Sequence, residues 1–244
     1  MSAPTTAFAL LPAAVPTAGP LGGLAEWFSR PGTLSGPGGI PTRLVEHLAY
    51  TGLTLAIALV IAVPIGLYVG HTGKGRVAVI AGSGMLRALP TLGMVTLFIL
   101  LSGTLGIMPP IWALVLLAVP PLLAGIAAGI SAVNPGIVDG ARAMGLTEPQ
   151  VLFTVEVPNA LPVLMGALRL AVLQVIATVA IVSIINLGGL GRYLIDGIAV
   201  RDYPQVFGGA VVIAAQPAVL RVASRLQPDL LSGPAQGVIE QVAD

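Results

Sequence analysis

The 244-residue chain is 56% hydrophobic and only 9% charged, with a net charge of +1 and a mean hydropathy of +0.97. Soluble domains carry about 25% charged residues, so a water-covered globule is excluded and an integral membrane protein is implied. The near-zero charge excludes nucleic-acid binding through bulk electrostatics; the absence of cysteine excludes disulfides, thiol catalysis and cysteine-ligated metals, and His47 and His71 alone are too few for a metal site.

Residues 1–44 read as an N-terminal tail. Its opening lacks a basic region and is broken by Pro12, Pro16 and Pro20, so a flexible tail is expected there rather than a signal peptide. Within it, "GLAEWFSRPG" predicts a short interfacial helix with Trp27 and Phe28 at headgroup level. His47 is expected at the membrane interface. A membrane helix needs about 20 mostly apolar residues, and the first such run is 48–70, with Pro64 as a kink. The loop "HTGKGR" follows.

The next spans are expected at 77–101 and 110–131, separated at "SGTLGIMPP". Arg87 falls inside the second span or at a bend in it. Pro90 and Thr91 sit mid-span, where a bend either opens backbone carbonyls to a pathway or serves packing alone.

The polar stretch "VDGARAMGLTEPQVLFTVEVPNALP" interrupts this apolar chain. Asn134 and Pro135 have the form of a helix start. Ile137, Ala141 and Met144 share one helical face, and Gly145 suits a left-handed stop. A second start follows at once, with Thr147 and Gln150 in capping-box spacing. The pattern predicts two short helices hinged at a glycine over 134–158, with Pro158 and Pro162 marking where span four begins. Helices this short are unstable alone, so the pair must pack on the membrane domain or on another protein.

Span four is expected at 161–187. Arg169 lies inside it, and an intramembrane arginine must pair or reach the interface; Glu156 is the expected partner, with a coupling or gating role as the alternative. Gln174, Thr178, Ser183 and Asn186 form no single stripe and suit interhelical hydrogen bonds. Gly188 and Gly189 open the "GGLG" turn, and Arg192 and Asp196 form an i,i+4 pair of small value. Span five is expected at 203–220, followed by a polar tail over 221–244. With the N-terminus outside, the inner loops hold Lys74, Arg76, Arg142, Arg221 and Arg225. The outer segments hold Arg30, Arg43, Arg192 and Arg201, a small inner excess in the usual sense.

The polar stretch resembles the cytoplasmic "EAA" loop of ABC importer permeases, in the spacing from Gly145 to Val157-Pro158. "PNALPVLMGALRLAV", "IINLGGLGRYLIDGI", "RALPTLGMVTLFI" and "EHLAYTGLTLAIALVIAVPIGL" are similar to that family's spans in the same order, covering about residues 45 to 215. The subfamily is the one importing glycine betaine, choline, carnitine and related osmoprotectants. One departure is Asp139-Gly140 where the pattern has Glu-Ala; Gly140 lowers helix propensity by about 1 kcal/mol relative to alanine.

The resemblance implies an all-α permease domain over 45–220 with five spans, of the methionine-importer type, in a bacterial inner membrane. It implies a cytoplasmic ATPase dimer, an extracytoplasmic binding protein and a second permease subunit, like or unlike. The loop would carry ATPase coupling through Asp139, Gly140, Ala141, Met144 and Gly145. Pro90, Thr91, Arg169, Asn186, Gly188 and Gly189 are pathway or gating candidates. No Gly-rich phosphate loop with lysine is present, so ATP hydrolysis belongs to another subunit, and no cofactor is expected. The alternatives are a permease for an amino acid such as methionine, or a channel or scaffold not driven by ATP.

Overall fold

The computed structural model describes residues 20–185 and 188–225. The tail readings at 1–19 and 226–244, and Asn186, lie outside the described residues. Every regular element among those described is helical: α1 (Pro20–Ser29), α2 (Ile40–Thr72), α3 (Arg76–Arg87), α4 (Thr91–Ser102), α5 (Met108–Ser131), α6 (Pro135–Ala143), α7 (Glu148–Gln150), a π turn (Val151–Glu156), α8 (Val157–Val182), α9 (Gly191–Val200) and α10 (Tyr203–Arg225).

Three of these are long and apolar enough to cross a membrane: α2, α5 and the continuous helix Glu148–Val182. α3 and α4 together make a fourth if counted as one bent span. α10 has 23 residues, about 34 Å at 1.5 Å per residue; it is not among these spans.

α5 is the central helix, between α2 and α8. The reason is written in small residues. Thr54, Ala58, Ala62 and Gly66 form a buried stripe on α2 at four-residue spacing, continued by Gly70. A Cβ on Gly66 would stand 2.8 Å from Ile126 Cβ, and one on Gly70 2.6 Å from Ile130 Cβ. On α5, Gly125 and Gly129 repeat the device toward α8, against Ala167 and Leu164. Lipid supplies no hydrophobic drive between helices, so close backbone approach at small-xxx-small patterns does the work. Ser83 adds polar glue, donating to the Pro120 carbonyl at 3.0 Å. The main core collects Ala58, Val95, Leu114, Leu122 and Val175 from α2, α4, α5 and α8.

Three sequence expectations need correction here. Span two is not one helix: α3 and α4 meet at 93° across residues 88–90. Pro90 disfavours helical geometry at Leu89 and begins α4 from an extended conformation, φ −67° and ψ 121°, so the chain turns a corner instead of kinking. Trp27 does not lie open on a surface helix. It is 2% exposed and meets Tyr193 edge-on at 5.1 Å and Phe28 at 5.0 Å, in a second core beside Leu190. His47 is not open to its surroundings either: it is fully buried, with Nε2 3.0 Å from the Ile176 carbonyl oxygen. It lies on the same face of α2 as the small-residue stripe.

α10 approaches Trp27 at Gly208, where any Cβ would enter the indole ring. Gly208→Leu therefore displaces Trp27 from its cluster. Overpacking of this kind costs about 1–3 kcal/mol, and the expected result is a lowered melting temperature with a red-shifted tryptophan emission in detergent.

Candidate functional site

The stretch 134–158 folds as an elbow, and each bend has a local cause. Asn134 Oδ1 accepts from the Gly136 N–H at 2.9 Å, and Pro135 takes the first helical position of α6. α6 ends where Gly145 adopts φ +88°. There the Gly145 N–H donates to the Arg142 carbonyl at 2.9 Å and the Leu146 N–H to the Ala141 carbonyl at 3.3 Å, the paired bonds of a Schellman stop. Thr147 then starts α7, and Gln150 Oε1 accepts from the Thr147 N–H at 2.8 Å and its hydroxyl at 2.9 Å.

The second helix is not short, as the sequence suggested. α7 continues through the π turn into α8 as one helix, Glu148–Val182, with Pro158 and Pro162 carried inside it. The elbow is thus the bent foot of a membrane helix, and motion of the elbow is motion of that helix's end.

The fold-back at Gly145 decides which face of α6 is covered. Val138 and Ala141 pack on Val151, with Val133, Leu146 and Val155 around them. Ala141 is 3% exposed, so of the five coupling candidates it alone faces inward and closes the elbow. Asp139, Gly140, Met144 and Gly145 are exposed. Ile137, expected beside Ala141, is on the open side, as is Phe153. The elbow therefore offers outward a surface of Ile137, Met144 and Phe153 beside the Asp139 carboxylate.

Charge knits the elbow to α2. The Arg142 guanidinium donates to Glu148 through Nε at 2.9 Å and Nη2 at 3.0 Å, and lies 3.5 Å from Asp139. The Arg142 hydrogen bond holds the Glu148 carboxyl below the usual carboxylate range. Glu148 in turn lies 3.0 Å from His71 Nε2, and Glu156 lies 2.6 Å from His71 Nδ1. Glu156 is thus taken by His71 and does not pair with Arg169. Arg169 is thirteen positions further along the same helix, about 20 Å at 1.5 Å per residue, and is exposed on α8.

The remaining candidates lie elsewhere. Pro90 and Thr91 form the corner between α3 and α4. Gly188 and Gly189 have φ +87° and +77°, which only glycine adopts freely, and both are buried. The Gly189 N–H donates to Glu46 at 2.8 Å; Glu46 also holds Arg43 at 2.9 Å, and the Ser183 hydroxyl donates to the Gly188 carbonyl at 2.7 Å. The glycine turn is therefore fastened to the N-terminal end of α2, far from the elbow at its C-terminal end. Thr178, expected to bond between helices, donates to the Gln174 carbonyl of its own helix at 2.7 Å. Arg192 and Asp196 pair at 2.8 Å. Sequence reasoning missed His71 and Glu46 as fasteners; the available signal was that each charged or ionisable group next to a span needs a partner.

Residues 44–230 match the family described as binding-protein-dependent transport system inner membrane component. The chain is 30% identical over 191 residues to the osmoprotectant import permease protein OsmW of Salmonella typhimurium, covering 77% of this chain and 89% of the relative. It is 32% identical over 168 residues to the glycine betaine/carnitine/choline transport system permease protein OpuCB of Bacillus subtilis, covering 69% and 77%. The crystal structure of an amino acid ABC transporter superimposes with a TM-score of 0.60 at 24% identity, covering 76% of this chain and 89% of that one, a likeness of fold.

Proposed function

The chain belongs to the binding-protein-dependent transport system inner membrane components, and from that premise we propose that it is the permease of an ABC importer for quaternary-ammonium osmoprotectants. The solute class is that of glycine betaine, choline and carnitine. Two relatives, one named for osmoprotectant import and one for glycine betaine, carnitine and choline, each matched over most of its length, support this assignment. Two permease subunits, like or unlike, would form the pathway. A cytoplasmic ATPase dimer would supply energy, and an extracytoplasmic binding protein would deliver solute. The N-terminus lies outside and the elbow and C-terminus inside, in line with the inner excess of basic residues.

One observation carries the coupling assignment. The elbow has a locked inner face at Val138, Ala141 and Val151 and an outward face on which Asp139, Gly140, Met144 and Gly145 are all exposed. A partner seated there pushes on the foot of a membrane helix. Recognition of the solute is expected mainly on the binding protein. Quaternary ammonium groups are held by open aromatic faces, and only 5% of this chain is aromatic. Its Trp27 cluster is edge-packed and closed.

Co-expression with the ATPase subunit is the test. The intact chain co-purifies with it, and deletion of residues 139–146 removes the ATPase while leaving the chain in the membrane fraction. Reconstituted with the binding protein, the intact complex takes up radiolabelled glycine betaine, choline or carnitine in preference to methionine. Retention of the ATPase by the deleted chain would overturn the coupling role; uptake of methionine alone would overturn the solute class.

A further inference from the structure

α2 ends on a histidine held from both sides. His71 Nδ1 is 2.6 Å from Glu156 Oε2, and Nε2 is 3.0 Å from Glu148 Oε2. The imidazole is 11% exposed and the Glu156 side chain 6%. A neutral imidazole has one N–H and one acceptor nitrogen. Between two ionised carboxylates, the acceptor nitrogen would meet an oxygen with no proton to share. Both contacts are hydrogen bonds only when the cluster holds one more proton; carried on the ring, that proton gives a donor on each side.

The backbone is shaped for this arrangement. In an uninterrupted α-helix, residues eight apart differ by about 80° around the axis at 3.6 residues per turn. The π turn at Val151–Glu156 accommodates an inserted residue. Glu156 then stands about two full turns beyond Glu148, on the same face. The irregular turn thus aims both carboxylates at one ring.

We propose that His71 is a positioning residue of energy coupling: as an imidazolium it clamps the elbow and the foot of α8 to the end of α2, and loss of its proton releases the elbow. Its meaning for transport rests on the coupling role proposed above for the elbow. The charged groups around the ring are Glu148 from α7 and Glu156 from the π turn. Behind them, Arg142 and Asp139 reach from α6, and Lys74 and Arg76 follow in the chain after α2. α5 packs on the same turn through Gly70 and contributes the Ser131 hydroxyl, 3.2 Å from the Gly70 carbonyl, but no charged residue. Deprotonation therefore leaves Glu156, buried and facing the ring, with no cation among these groups directly against it.

Because the chain has no native cysteine, Tyr68→Cys with Ala143→Cys provides a clean pair for spin labels on α2 and α6. Double electron–electron resonance on the full chain in nanodiscs, recorded from about pH 6 to about pH 9, compares the two ends of the range over which side-chain imidazoles change charge in proteins. The His71 chain is expected to show one narrow distance at the acid end, whose amplitude falls by more than about half at the alkaline end. His71→Gln is broad throughout, and His71→Arg, with its permanent charge, is narrow throughout. An unchanged distribution in the His71 chain across the range would overturn the proposal, as would a His71→Gln chain indistinguishable from its parent. If His71→Gln does not insert, the parent's pH series still decides. The distances need neither solute nor ATPase, so failure of the clamp and failure of the transport assignment are read separately.

Discussion

Gly145→Pro leaves the chain inserted in the membrane and reduces ATP-driven uptake to background. Gly145 sits at φ +88°, whereas proline is locked near −65°. Proline also removes the N–H that donates to the Arg142 carbonyl. The elbow then loses its stop, and Val138 and Ala141 no longer return onto Val151. A mismatch of about 3 kcal/mol depopulates the native elbow about 100-fold at 1.4 kcal/mol per decade. Nothing stands within 4 Å of a Cβ at this position, so crowding is not the cause. Gly145→Ala isolates the backbone effect: left-handed φ costs about 1–2 kcal/mol, and uptake should fall about 5- to 30-fold. Reconstituted uptake, with membrane-fraction blots as the insertion control, checks both. Normal uptake by Gly145→Pro would sink the coupling role of the elbow.

Gly70→Leu removes the folded permease altogether. A Cβ there would stand 2.6 Å from Ile130 Cβ and 3.0 Å from the Ala127 carbonyl oxygen. One obstacle is backbone and the other a β-branched stem, so neither can swing away. Relieving the clash means separating α2 from α5, the crossing on which the core is built. Overpacking costs about 1–3 kcal/mol even where neighbours yield, and here they do not. Size-exclusion chromatography of a fluorescent fusion in detergent should show the monodisperse peak reduced about tenfold or more. Gly52→Leu on the same helix is the control, since a Cβ at Gly52 meets nothing within 4 Å, and its peak should be unchanged. Equal peaks for the two variants would refute close packing at Gly70.

Much of the architecture was legible before the structure. The spans at α2 and α5 follow from hydropathy alone. The stops of the elbow at Asn134, Gly145 and Thr147 were readable because caps are local chemistry, decided by a few neighbouring residues. What failed was tertiary. Pro90 announces a bend, but the right angle depends on what α3 and α4 pack against. Pro158 and Pro162 were read as marking the start of span four, yet the helix already begins at Glu148. Ile137 and Val138 both share a face with Ala141; only the direction of the fold-back selects Val138. The burial of His47 was available in principle. It stands seven positions before Thr54 on the stripe continued by Ala58, Ala62, Gly66 and Gly70, and a helix carrying that stripe must press it against a neighbour.

α2 is fastened near its start by Glu46 to the glycine turn and at its finish by His71 to the elbow. It packs closely on α5 at Gly66 and Gly70, only a few residues from the elbow end. From that crossing, at 1.5 Å per residue, His71 lies about 5 Å along the helix and Glu46 about 33 Å, with Pro64 on the longer side. A tilt that shifts His71 by a fraction of an ångström swings the glycine turn several times farther. Where the helix tilts as one body about that crossing, a small movement at the elbow end is matched by a larger one at the glycine turn.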